Sequence, residues 1–172
     1  MRRFLAPVLA LLAACCLSTA ALAGTQGTQT LSTTVPDPTA PSWTLNIPAD
    51  TAVPYGDPDT SIGWVTVSGV QNVVDEFIVC EAFTTDFKSG TNTIPLKLLG
   101  DLYSGGVCYE QHIRVSTPGN PFELYDGTAP DKALSAEIFA LVDPADWAAA
   151  APGSYTATVT YQSWLVPLQP NG

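Results

Sequence analysis

The chain has 172 residues, with 6 Lys and Arg against 16 Asp and Glu, a formal charge of −10 and a mean hydropathy of +0.18. That acidity argues against nucleic acid and anionic membrane as partners, because both repel a protein of their own sign. Plentiful aromatic and β-branched residues, with no long run of charge, exclude a disordered chain.

The N-terminus reads as an address. Met1-Arg2-Arg3 is a short basic region, Phe4 to Leu17 is almost wholly apolar, and Ala21-Leu22-Ala23 has the small-x-small pattern of a cleavage site. Residues 1–23 are therefore expected to be a signal peptide, with Gly24 as the first mature residue and export as the consequence. Leu12-Ala13-Ala14-Cys15 also resembles a lipobox, which would make Cys15 a lipid-modified N-terminus. The apolar tone of Leu17 to Ala23 favours simple cleavage, since a lipidated cysteine is usually followed by a polar tether. The apolar run is too short for a comfortable membrane span. Cleavage would remove Arg2 and Arg3 and leave Lys88, Lys97, Arg114 and Lys132 against the 16 acids, a formal charge of −12. The remaining length suits one domain with its own core.

From Gly24 the chain opens polar and is expected to be mobile. Leu31, Thr33 and Val35 then alternate weakly before Pro36, Pro38 and Pro41 break the pattern. Residues 24–41 are read as a flexible or edge-strand segment, and residues 42–172 as the folded domain. Ser42 to Ile47 predicts a strand, with Trp43, Leu45 and Ile47 on one side. Pro48 to Thr60 is loop. Strands follow at Ile62 to Ser68, within Val70 to Phe83, at Thr93 to Leu99, and at Val107 to Val115 after the turn Ser104-Gly105-Gly106. Ser116 to Pro130 is loop, with a short rung at Phe122 to Tyr125.

Lys132 to Val142 fits two periods. Leu134, Ile138 and Leu141 share a helical face, whereas Leu134, Ala136, Ile138, Ala140 and Val142 share a strand face. Strand is preferred, because its neighbours are strands. Asp143-Pro144-Ala145-Asp146-Trp147 then supplies an N-cap residue, proline at the first helical position and an acid in the first turn, so a short helix should run to about Ala151. Trp147 should fold beneath the mouth of the domain. Pro152-Gly153 turns the chain into a last alternating run in which Tyr155, Ala157, Val159 and Tyr161 share one face. The sum is an all-β, immunoglobulin-like β-sandwich with one short helix before its last long strand.

Pro152-Gly153-Ser154-Tyr155 resembles the tyrosine corner of immunoglobulin-like and fibronectin-type domains, which implies a Tyr155 hydroxyl bonded to upstream backbone. Trp43-Thr44-Leu45, with Tyr155 to Trp164 followed by Pro167, is similar to Gram-positive surface proteins of the WxL type. The second W-x-L triplet is absent, since Leu165 and Val166 follow Trp164 directly. That resemblance implies a secreted β-protein held noncovalently at the cell wall.

Cys80 and Cys108 lie in two strand-like runs, and in an exported chain they point to one structural disulfide. Calcium would have Asp57 and Asp59, or Asp143 and Asp146, as ligands, although neither pair matches a calcium loop. No cofactor is implied. His112, on a polar strand face with Glu110 and Arg114, has no nucleophile turn to serve. Glu76, Glu81, Glu110, Glu123 and Glu137 could supply paired carboxylates for glycoside hydrolysis, as any acidic β-protein could. The aromatic residues carry the main binding reading: Trp43, Trp64, Trp147 and Trp164, with Tyr55, Tyr103, Tyr109 and Tyr125, could form a sugar-stacking platform, with Trp43 and Trp164 as the candidate ligand contacts and core or edge packing as the alternative for most of them. The expected function is a non-catalytic structural or adhesive module of a bacterial surface, with a cell-wall polymer, glycan or other surface protein as partner. Two alternatives stand beside it: a carbohydrate-binding module using exposed Trp and Tyr, and a pilus-type subunit assembled by strand donation from Gly24 to Val35.

Overall fold

The computed structural model describes residues 39–116 and 118–168. The expected signal peptide, the lipobox at Cys15 and the alternating run Leu31 to Val35 lie outside the described residues. All the described residues fall within the second of two units, Asp37–Gly172.

Ten strands and one helix follow in order: β1 (Ser42–Asn46), β2 (Asp59–Gln71), β3 (Glu76–Thr84), β4 (Phe87–Ser89), β5 (Asn92–Ile94), β6 (Lys97–Ser104), β7 (Val107–Arg114), β8 (Phe122–Asp126), β9 (Leu134–Leu141), α1 (Pro144–Ala149) and β10 (Val159–Pro167). They make a five-stranded sheet in the order β1-β2-β9-β6-β7, a three-stranded sheet β10-β3-β8, and a small hairpin β4-β5. Every pairing is antiparallel. The expected all-β sandwich with one short helix before its last strand is what the chain forms.

The stretch that fitted two periods is a strand. In β9, Ala136, Ile138 and Ala140 are buried while the residues between them are only half-buried, which is the pleat's period of two. β9 bonds β2 along one edge and β6 along the other, so its inward side chains sit at the middle of the core. Val65, Leu98, Leu102, Ala136 and Ile138 from the five-stranded sheet meet Cys80, Ala82, Phe122 and Leu124 from the three-stranded one. Burying side chains of this kind contributes about 25 cal/mol per Å² of apolar surface.

A second cluster closes one end of the sandwich, where Ile94, Leu96, Ala140 and Val142 pack with Trp147 of α1. Pro144 opens the helix and Asp143 stands at its N-cap, although the Asp143 side chain makes no capping bond. The Trp147 indole donates to the Asp57 carbonyl at 2.9 Å, so the ring is buried with its polar atom satisfied. The corner expected from Pro152 to Tyr155 is present: the Tyr155 hydroxyl donates to the Ala151 carbonyl at 2.9 Å. Trp43 ties the open side of the sandwich, donating from its indole on β1 to the Ser163 hydroxyl on β10 at 2.9 Å.

Three expectations change. The strand expected from Thr93 to Leu99 is divided into β5 and β6 around Pro95, which has no N–H to give a ladder. β10 begins at Val159 rather than Tyr155; the backbone before it is tied by a bridge from Thr156 to Lys88 and by bonds between Thr158 and Thr85. The disulfide is also absent: Cys80 and Cys108 are both free thiols. Their strands lie in different sheets. Cys80 points into the core opposite Ser163, whereas Cys108 sits opposite Tyr103 on the outer face of the other sheet. A layer of side chains separates the two thiols, and a disulfide needs their Cβ atoms within about 4.5 Å.

Two outcomes test these placements. Burial pushes the Cys80 thiol up to about 12. A chromogenic disulfide reagent should therefore react with Cys108 in the native protein, and with Cys80 only after unfolding. A non-reduced mass two hydrogens short of the reduced one would overturn the assignment. Tyr155→Phe should lower stability by about 1 kcal/mol, read as a fall in melting temperature.

Candidate functional site on the outer face of the five-stranded sheet

On the side of the sheet away from the core, the pleat places polar and aromatic side chains in rows across the strands. Trp64 of β2 stands opposite Glu137 of β9, which stands opposite Asp101 of β6. Ser61, Phe139, Leu99 and Arg114 form the neighbouring row. Each is outward because its neighbour is inward: Val65, Ile138 and Leu102 are core residues. Trp64 and Tyr103 pack ring against ring, with centroids 4.8 Å apart and planes at 54°. Trp64 keeps 45% of its surface exposed. The Ser61 hydroxyl donates to Glu137 Oε1 at 2.7 Å.

A bulge sets Trp64 in register. The pairing of β2 with β9 shifts between Ser61 and Gly63, and Gly63 adopts φ +119, open to glycine and strained for other residues. A Cβ there would also lie 3.0 Å from the Pro48 side chain. Glycine at this position therefore lets the strand carry both Ser61 and Trp64 outward.

His112 crosses the same face. Register shifts in the β6–β7 pair accompany a left-handed backbone at His112, φ +52. The buried Asp101 anchors that turn, accepting the His112 backbone N–H at 2.7 Å. The imidazole stacks on Phe139 with centroids 5.4 Å apart. Its Nε2 lies 3.0 Å from Asp59 Oδ2 and its Nδ1 3.2 Å from Asp101 Oδ1. Neutral imidazole has one N–H to offer, whereas imidazolium has two. The bond to Asp59, with the charges of Asp101 and Asp59, raises the His112 pKa despite some desolvation.

The face thus presents a tilted aromatic pair bordered by carboxylates and a hydroxyl. Such a surface can stack the apolar side of a sugar ring and accept hydrogen bonds from its hydroxyls.

The residues singled out in the sequence are dispersed. Trp43 faces inward with its indole N–H bonded, while Trp164 lies half-buried on the outer face of the other sheet, opposite Val79. They do not share a surface with each other or with Trp64. Asp57 accepts the Thr60 hydroxyl at 2.8 Å, Asp59 faces His112, and Asp143 pairs with Lys97 at 3.0 Å. The Asp59 and Asp143 carboxylates are therefore in ion pairs rather than gathered around a common centre. Glu81 is buried and accepts the Gly119 N–H, and Glu123 stands beside Val79 on the three-stranded sheet. Glu137 is on the opposite side of the molecule, so these glutamates do not converge.

No protein-family model, curated protein or solved structure matches the chain.

The His112 arrangement has a definite pH signature. A raised folded pKa means the stabilisation is complete below the ordinary histidine value and is lost as pH rises through the folded one. The excess of the wild-type melting temperature over that of His112→Gln should therefore be greatest below the ordinary histidine value, about pH 6.5, and should shrink as pH rises through the raised folded one. A difference that grows with pH would contradict the two-carboxylate clamp.

Proposed function

We propose that the protein is an exported, non-catalytic adhesive module that binds a polysaccharide of a cell surface through the outer face of its five-stranded sheet. One observation carries this reading: Trp64, nearly half exposed, is held against Tyr103 in a row with Glu137 and Asp101. A large aromatic that packing would normally bury is instead braced by a second ring and bordered by acceptors. Hydroxyl-rich sugars match that chemistry, since one ring face is apolar and the rim carries hydroxyls that can donate to carboxylates. Export is supported by the basic, apolar and small-residue pattern of Met1 to Ala23. No helix among the described residues is long and apolar enough to cross a membrane.

This reading moves the binding ring from Trp43 and Trp164 to Trp64. Pull-down on purified cell-wall polysaccharide and on neutral glycans tests it directly. Trp64→Ala should weaken binding by about 2 kcal/mol, or roughly thirty-fold, while Trp164→Ala, on the other sheet, should bind like wild type. If wild type retains none of these polymers, or Trp64→Ala retains them equally well, adhesion through this face is wrong.

A further inference from the structure

The carboxylates on the face that carries Trp64 differ in what neutralises them. Asp59 and Asp101 both face the His112 imidazole, at 3.0 and 3.2 Å. Glu137 makes no ion pair among the described residues; its Oε1 accepts the Ser61 hydroxyl, and its Oε2 is left open. Lys97 is already held by Asp143, and Arg114 stands at the far end of the neighbouring row, opposite Leu99. Glu137 is directly opposite the exposed Trp64, and side chains so placed have Cβ atoms about 5 Å apart. An unneutralised carboxylate therefore stands beside an open indole. The Tyr103 phenol reports the same surroundings: desolvation, with Cys108, Glu137 and Asp101 close by, raises its pKa.

On the reading that this face binds a polysaccharide, we infer that the ligand is an amino sugar with its amine free, the ammonium lying between Glu137 and the ring of Trp64. A hydrogen bond from a cation to a carboxylate is roughly twice as strong as a neutral one. A cation within about 6 Å of an indole centroid is attracted by the ring as well. Acetylating the amine removes its charge and both gains, and leaves only stacking and hydroxyl contacts. A uronic acid brings its own carboxylate against Glu137 and Asp101 and is turned away.

The test titrates the full chain calorimetrically at about pH 6, where the amine is protonated. The probes are the β-1,4-linked tetramer of glucosamine, the same tetramer N-acetylated, and tetragalacturonate. Wild type should bind the glucosamine tetramer about ten-fold more tightly than the acetylated one, and tetragalacturonate not measurably. This contrast needs no variant. Glu137→Gln keeps an acceptor for Ser61, and should erase the preference without changing the acetylated tetramer's affinity. Glu123→Gln removes the same charge from an exposed position on the three-stranded sheet and should keep the preference, which separates a placed carboxylate from the acidity of the whole chain. Trp64→Ala should weaken both tetramers, and melting curves check that each variant folds. Equal affinities in wild type, a preference that survives in folded Glu137→Gln, or one lost equally in Glu123→Gln would overturn the amine assignment. Binding of neither tetramer, when polysaccharide is still retained in the pull-down, overturns that assignment alone. Retention of no polysaccharide overturns the reading beneath it.

Discussion

β9 is bonded along both edges, to β2 and to β6, and so its alternation fixes two surfaces at once. Ala136, Ile138 and Ala140 go inward and determine how closely the three-stranded sheet can approach. Glu137 and Phe139 go outward and occupy the centre of the face that carries Trp64, Asp101 and His112. A one-residue slip of β9 would exchange the two sets, placing Glu137 in the core and Ile138 in water. The inward side chains oppose that slip, because burying an unpaired carboxylate costs far more than any ladder bond returns. Packing on one side thereby holds the chemistry on the other.

The fold was legible wherever period and composition agreed. The choice of strand for Lys132 to Val142 rested on its neighbours, and the same short segment fitted a helical face; tertiary pairing decided it. The end of α1 and the Tyr155 corner were readable because Pro144, Pro152 and Gly153 constrain φ locally. The outer face was harder to read. Trp64 and Tyr103 are far apart in sequence and meet only because β9 pairs in register with β2 on one side and β6 on the other. The one local sign was Gly63, a glycine inside a strand pattern, which marks a bulge. The pairing inferred from Cys80 and Cys108 failed for a related reason. Counting cysteines says how many bonds are possible, but which face each thiol occupies depends on bulges in β7 that period two does not encode.

The acidic composition has a local counterpart on this face. Asp59 and Asp101 approach one imidazole from opposite sides, and the cost of holding two carboxylates near each other falls when the ring between them is charged. The left-handed backbone at His112 is part of the same arrangement, since Asp101 binds both the backbone N–H and the ring. A strained residue that persists in a strand is normally over-determined by its surroundings, and here a single buried acid anchors it. The Trp64 face is therefore bordered by a fixed frame rather than by mobile side chains.

With both thiols free, the sheets are joined by contact alone: side chains interdigitated across the core, and one indole reaching from β1 to β10. Cohesion of this kind is indifferent to redox potential. Among the described residues a reductant has no bond between the sheets to cut. The durability of the sandwich would rest instead on how slowly the core opens to water, a kinetic property set by packing.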